Sequence, residues 1–220
     1  MRTTIFKLLL VLATVCLVTS SHAINLFIGG SVGPAFPTRD FLGSDIKHRQ
    51  GAANRGEGGQ IELGFSSDVF DAYVAARSDE FPGQTEYNDF QIDGEWEVHR
   101  VLYGLRLRLT DVLSNDIEPF FGVAVSNGPT EVKARTTFND ERLVGRQKTE
   151  YEPGTMLEAG ANFRLGKAAQ IVASLQMYNF LAPLNRYDIV LPFSDDLSIN
   201  SGDVRVTYVA LNIGLRIRVL

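Results

Sequence analysis

Hydrophobic residues alternate with polar or small residues in eight separate stretches of this chain. In the clearest one, every odd-numbered residue from Val209 to Val219 is aliphatic, whereas the even-numbered residues are Ala, Asn, Gly, Arg and Arg. Because successive side chains of a strand point to opposite faces, this period of two predicts a strand with one apolar and one polar face. Its length matches the roughly 9 to 11 residues that a tilted strand needs to cross a bilayer.

The other seven stretches repeat this pattern and are joined by alternately long and short connections. Both chain ends lie on the side of the short turns, which is typical of outer-membrane barrels with long external loops and short periplasmic turns. The sequence therefore predicts an all-β fold: an eight-stranded antiparallel up-and-down transmembrane β-barrel with four long external loops and short periplasmic turns. The predicted strands are 24–32, 60–66, 70–77, 101–109, 120–125, 157–165, 170–177 and 204–220, and the predicted long loops are 34–58, 78–95, 127–154 and 179–203.

The polar faces of these strands are rich in glycine, arginine and glutamate. The interior of an eight-stranded barrel is only just wide enough for side chains, which explains glycines beside long charged residues. Guanidinium and carboxylate groups in so narrow a lumen must pair to offset their desolvation. We therefore expect a lumen ion-pair network of Glu62, Arg77, Arg106, Arg108, Glu158, Arg164 and Arg216.

A soluble periplasmic barrel of the lipocalin kind is the structural alternative. Such a barrel turns its aliphatic face inward around a ligand and its polar face outward to water. The mixture of glycine, arginine and glutamate on the polar face favours an interior over a solvated surface. With the opposite orientation in a membrane, Arg106 or Arg216 would face hydrocarbon at a cost of about 2 to 4 kcal/mol each near the midplane.

Residues 1–23 have the features of an export signal, and residues 24–220 are left as a single barrel domain. Arg2 and Lys7 precede a short apolar core, and the small residues Ser21 and Ala23 precede the expected cleavage site. We therefore predict export and localisation in the bacterial outer membrane. The single cysteine, Cys16, lies within the signal, so the mature chain is expected to have no disulfide. The net charge of −5 gives no indication of nucleic-acid binding.

Several segments resemble the eight-stranded OmpA/OmpX-type outer-membrane barrels. They are LFIGGSVG at 26–33, EPFFGVAV at 118–125, LEAGANFRLG at 157–166 and the closing strand. The closing strand is similar to the signal read by the outer-membrane insertion machinery, with Asn212, Gly214, Ile217 and Val219 at its defining positions, although it ends on Leu220 instead of the usual aromatic residue. The resemblance implies outer-membrane lipid, lipopolysaccharide and the insertion machinery as partners.

Enzymes that modify lipid A exist on this scaffold and need a nucleophile with a histidine at the outer rim. The candidate group here is His99 with Ser78 and either Glu97 or Asp79. Rim residues of these types are usually only solvated, so we expect a non-enzymatic protein without a cofactor. A lipid A deacylase or acyltransferase is the alternative.

The second long loop is acidic and aromatic. Asp79, Glu80, Asp89 and Asp93 are weak candidates for divalent cation binding, and the alternative is a solvated acidic loop. Aromatic residues near the predicted strand ends are expected in a girdle at the lipid headgroups, and those of loop two either there or in an adhesive patch. They are Phe70, Phe120, Phe121, Tyr178, Phe180 and Tyr208, and in loop two Phe81, Tyr87, Phe90 and Trp96.

These features together favour a surface protein. We expect it to support envelope integrity or adhesion and to present its external loops to a host or environmental ligand.

Overall fold

A computed structural model describes residues 25–42, 53–87, 90–110, 112, 116–138, 141–149, 151–166, 168–184 and 202–219. The predicted export signal, residues 1–23, lies outside them. Among the described residues, no helix has the length and apolar character needed to cross a membrane. The strands are β1 (Asn25–Thr38), β2 (Gly56–Ser66), β3 (Phe70–Tyr87), β4 (Phe90–Arg108), β5 (Ile117–Gly128), β6 (Thr130–Phe138), β7 (Glu141–Lys148), β8 (Glu152–Arg164), β9 (Ala169–Leu184) and β10 (Gly202–Val219), and a 3₁₀ turn spans Arg39–Phe41.

Eight of these strands close into an antiparallel barrel, in the order β1, β2, β3, β4, β5, β8, β9 and β10. The last strand returns to the first, with Leu26 opposite Val219 and Ile28 opposite Ile217. The predicted eight-stranded barrel is therefore confirmed. Closure leaves no free edge within the barrel wall, so every wall strand has a hydrogen-bonding neighbour on both sides.

The apolar face of the wall points outward, as predicted. Ile61 and Ile213 are 68% and 61% exposed, whereas Arg106 and Arg216 are 2% and 1% exposed. A water-soluble barrel would have to invert this arrangement and bury the aliphatic residues. The orientation fits a lipid-facing wall around a polar lumen.

The two ends of the barrel differ in the length of their connections. At the end that holds the first and last described residues, short segments join β2 to β3, β4 to β5 and β8 to β9, close to the predicted turns. At the opposite end, strands continue into all four of the predicted loops. The expectation of an irregular loop over residues 78–95 is wrong, because β3 extends to Tyr87 and β4 begins at Phe90. Residues 127–154 likewise contain β6 and β7.

The first half of β4, residues 90–99, lies beyond the barrel wall and is still paired on both sides. One side continues its ladder with β3, and the other pairs Ile92–Val98 with Thr130–Thr136 of β6, which in turn pairs with β7. We name residues 78–87, 90–99, 130–138 and 141–148 the outer sheet. Its outward positions, such as Glu80 and His99, are exposed and polar, whereas Phe81, Trp96 and Val98 are buried at inward positions. Because no lipid demands apolar residues outside, the outer sheet lacks the apolar alternation that marks the wall.

Candidate functional sites in the lumen and at the outer rim

The middle of the lumen holds a connected group of buried charges. Arg106 donates from Nη2 to Glu62 Oε2 at 2.7 Å and from Nε to Glu158 Oε2 at 2.6 Å. Arg216 contacts the other oxygen of Glu62 at 3.0 Å and donates to Asp71 Oδ2 at 2.7 Å. Each carboxylate thus contacts at least one guanidinium group, and these contacts offset the desolvation of charged residues from five strands.

A second group lies at the short-turn end. Arg108 Nε is 3.3 Å from Asp71 Oδ1, and its Nη1 is 3.4 Å from Glu118 Oε2. Arg164 also pairs with Glu118, although its side chain is 39% exposed. The sequence analysis did not name Asp71 or Glu118, yet both are buried and central. Asp71 was detectable because it shares the polar face of the predicted strand 70–77, whereas Glu118 precedes the predicted strand 120–125.

Arg77 and Asp79 form the third group, toward the outer end. Arg77 Nε and Nη2 bind both oxygens of Asp79 at 2.7 and 2.6 Å, and the Tyr208 hydroxyl donates to Asp79 Oδ2 at 2.7 Å. Arg77 also donates from Nη1 to Asn212 and Gln176 at 3.0 and 3.2 Å. Asp79 is therefore a lumen residue and does not accompany Glu80, which is exposed on the outer face.

Aromatic rings separate these charged groups and cover the guanidinium planes. The Arg106 guanidinium carbon lies 4.0 Å from the ring centroid of Tyr73, and that of Arg216 lies 4.2 Å from Phe27. Arg100, which the sequence analysis also left out of the network, stacks over Phe180 at 3.4 Å. Cation–π contacts of desolvated guanidinium groups contribute about 2 kcal/mol each.

A cluster of aromatic residues closes the outer end of the lumen. The Phe41 ring packs edge to face on Phe81 and on Trp96, with centroid distances of 5.0 and 5.1 Å. The Phe81 ring also packs edge to face on Tyr208, at a centroid distance of 5.0 Å. Phe81 is 0% and Trp96 4% exposed. The expectation of an adhesive patch or a girdle is therefore wrong for both residues, because their strand positions point inward. The side chains of Tyr87 and Phe90 lie outside the described part of the chain.

The girdle expectation is also wrong for most aromatic residues of the barrel wall. Phe120, Tyr178, Phe180 and Tyr208 are buried in the lumen, since each occupies an inward position of its strand. Phe121, at the neighbouring outward position, is 58% exposed and fits the girdle. Strand position, and not proximity to a strand end, decides which face an aromatic residue occupies.

A polar ring marks the upper limit of the apolar outer wall. On six strands an exposed polar residue follows the apolar outward residues, and we name these six residues the polar ring; on β9 one more apolar outward residue, Leu181, lies beyond it. This ring lies at the end of the wall opposite Asn25 and Val219, the first and last described residues. Its members are Glu57, Ser78, His99, Asn127, Thr155 and Asn179.

Within this ring, Ser78 and His99 are directly opposite on β3 and β4. Ser78 Oγ lies 3.0 Å from His99 Nδ1, with the proton position set by the histidine tautomer. His99 Nε2 lies 3.8 Å from Glu97 Oε2. The structure thus brings together three of the four residues considered for nucleophilic chemistry, whereas Asp79 points into the lumen.

The structure brings only one of the cation-binding candidates, Glu80, into a group of carboxylates, and cation binding stays a prediction. Glu80, Glu95 and Glu97 have oxygen atoms within 4.8 Å of one another, but Asp79 is absent from this group. Asp89 lies outside the described residues. Lys133 pairs with Glu97, and this hydrogen bond raises the pKa of Lys133 above its usual value.

The residues of the expected insertion signal occupy both faces of β10. Ile217 and Val219 point outward and are 44% and 47% exposed. Asn212 points inward, where it accepts a hydrogen bond from Arg77. Recognition by the insertion machinery remains a prediction, since the contacts within the barrel do not bear on it.

Solved outer-membrane proteins share this architecture. Neisserial surface protein A matches with a TM-score of 0.51 at 11% identity, over 90% of this chain and 99% of that one. The chain has the fold of the eight-stranded outer-membrane barrels. A major outer-membrane protein of Thermus thermophilus matches with a TM-score of 0.48 at 13% identity over 90% and 100% of the two chains, and Ail of Yersinia pestis with 0.41 at 15% over 90% and 99%. No family model and no curated sequence matches.

Proposed function

We propose that this protein is an integral protein of the bacterial outer membrane that presents the outer sheet to the surroundings of the cell, in adhesion or envelope integrity. The observation that carries this proposal is the continued pairing of β4 above the polar ring, with β3 on one side and β6 on the other. Such pairing builds a rigid raised surface where irregular loops were expected. Its outermost strand, β7, has one described neighbour, β6, and therefore offers a strand edge to a ligand.

The outer wall supports a position in the membrane. Its apolar residues suit the acyl chains of outer-membrane lipid, and the polar ring suits the headgroups of lipopolysaccharide. Export through the predicted signal and assembly through the closing strand complete this proposal. They account for the partners that the resemblance implies.

The lumen supports a structural role for the barrel and not conduction. Ion pairs and rings fill the described interior from Glu118 at one end to Phe81 at the other. An eight-stranded barrel filled in this way leaves no continuous water path. We therefore expect no ion conductance in planar bilayers.

Removal of the β6–β7 hairpin tests the proposal. Thr149 N donates to Thr130 O at 2.8 Å, and Thr130 N to Thr149 Oγ1 at 2.9 Å, so the two residues are adjacent and residues 131–148 can be replaced by an Asn-Gly turn. Cells producing the shortened protein should adhere less to an epithelial monolayer or become more sensitive to detergent. The shift in gel migration on heating checks that the barrel has assembled. Unchanged adhesion and unchanged detergent sensitivity would contradict the proposal.

A further inference from the structure

The pair formed by Ser78 and His99 lies on the outside of the barrel, where the wall meets the lipid headgroups. Both side chains are exposed, and Ser78 Oγ is 3.0 Å from a ring nitrogen of His99. The second ring nitrogen is 3.8 Å from Glu97. A hydroxyl, an imidazole and a carboxylate in this order provide a nucleophile, its base and a group that orients the base.

A groove on the lipid-facing wall leads to this pair. It has a volume of about 840 Å³, and its surface is mostly apolar. Besides small and aliphatic residues of the wall, the lining includes Ser78, His99, Gln60, Arg77, Arg100, Asn127 and Tyr151. Gly30 and Gly59 leave space in the groove. A Cβ added at Gly30 or Gly59 would have its nearest neighbour at 3.7 or 3.5 Å, so a larger side chain at either position would fit and would occupy the groove. Ile61, Val101 and Ile213 supply apolar lining. The groove therefore suits a hydrocarbon chain whose polar end reaches the polar ring.

We propose that Ser78, His99 and Glu97 form a hydrolase site for acyl esters of lipids in the outer leaflet, with one acyl chain in the groove. The position of Ser78 supports this proposal. The ester bonds of membrane lipids lie between the acyl chains and the headgroups, and Ser78 lies where the apolar wall meets the polar ring. This activity goes beyond the proposed role of the outer sheet. Ser78, Glu97 and His99 lie at the base of that sheet on β3 and β4, whereas the strand edge proposed for a ligand is that of β7.

The reaction is an ester hydrolysis with water as co-reactant. Ser78 Oγ attacks the carbonyl carbon while His99 takes the hydroxyl proton, and the bond from that carbon to the alcohol oxygen breaks as His99 returns the proton to the leaving oxygen. Water then attacks the acyl-serine, with His99 again as base. The fatty acid leaves and the proton returns to Ser78. Asn127 lines the same groove and has amide N–H groups that suit the oxyanion.

The refolded full chain in lipid vesicles tests this site. One set of vesicles contains phosphatidylethanolamine and phosphatidylglycerol, and a second set also contains lipopolysaccharide, so the source of any released fatty acid is identified by mass spectrometry. In ¹⁸O-labelled water the released acid should carry ¹⁸O. Ser78→Ala and His99→Ala should lower the release by about 100-fold or more. Thr155→Ala removes a hydroxyl at the same level of the ring on β8 and should leave the release unchanged.

A fluorophosphonate probe gives a second readout that does not depend on the lipid. It should label Ser78 of the wild type and of Thr155→Ala, and His99→Ala should slow this labelling. Gly59→Leu, which fills the groove, should reduce lipid hydrolysis but not labelling by the small probe. Release in either set of vesicles that requires Ser78 supports the proposal. Release no greater than from protein-free vesicles, or equal release by Ser78→Ala and the wild type, overturns it, provided that each variant shows the heat-dependent gel shift.

Discussion

Arg106 and Glu158 reach across the lumen from β4 and β8, and Arg106 Nε lies 2.6 Å from Glu158 Oε2. Neither side chain is more than 1% exposed, so each charge depends on the other for its stability. Removal of one partner leaves an uncompensated buried charge, which costs about 3 to 5 kcal/mol.

Arg106→Met is therefore expected to lower the free energy of unfolding by about 3 to 5 kcal/mol, because it leaves Glu158 and Glu62 without their shared cation. Urea unfolding of the barrel in lipid vesicles, followed by gel migration, measures this change. Arg205→Met is the control, since Arg205 is exposed on β10. A loss of less than 1 kcal/mol for Arg106→Met would show that the lumen network is not a stabilising element.

Gly104 faces Tyr73 so closely that no side chain fits between them. A Cβ at this position would lie 2.3 Å from Cζ of the Tyr73 ring. Gly104→Ala is expected to destabilise the barrel by about 1 to 3 kcal/mol through overpacking, and Tyr73→Leu should recover part of the loss. The same urea assay measures both. Gly94→Ala is the control, because the nearest atom to its Cβ would be Gly83 O at 3.8 Å. Equal effects of the two alanines would contradict this explanation.

The periodicity of the sequence was sufficient to predict the wall strands and their orientation. Strict alternation at 101–107 and 209–219 assigned outward and inward positions because lipid and lumen demand opposite chemistry of neighbouring residues. Beyond the polar ring, one face of each strand contacts water and the other contacts neighbouring residues. No lipid requires apolar side chains there, so the sequence shows no strict alternation. For this reason the extension of β3 and β4 and the pairing of β6 with β4 were not predictable.

Ion-pair partners were only partly predictable for a related reason. Glu62 and Arg216 stood out because carboxylates and guanidinium groups are rare on a strand face. Asp79 was assigned to an acidic loop, since its pairing with Arg77 depends on β3 continuing past Ser78. Contacts across the lumen, such as that of Tyr208 with Asp79, depend on the three-dimensional closure of the barrel and have no local signal.

The outward orientation of the wall predicts a contrast in chemical labelling. In a Cys16→Ser background, Ile213→Cys should resist a water-soluble maleimide when the protein is in lipid vesicles, because lipid covers its outward position. Glu80→Cys, in the outer sheet, should react rapidly. Detergent with a small maleimide serves as the control for intrinsic reactivity. Equal reaction of both cysteines in vesicles would place the apolar wall in water.

Trp96 is the single tryptophan of the chain, and it reports on the aromatic cluster at the outer end of the lumen. Because Trp96 packs edge to face on Phe41 inside the barrel, its fluorescence should be shifted to the blue. Brominated lipids should quench it weakly, since the wall separates it from acyl chains, and acrylamide should also quench it weakly. Phe41→Ala should increase acrylamide quenching without changing quenching by brominated lipids. Strong quenching of the wild type by brominated lipids would instead place Trp96 in the headgroup girdle.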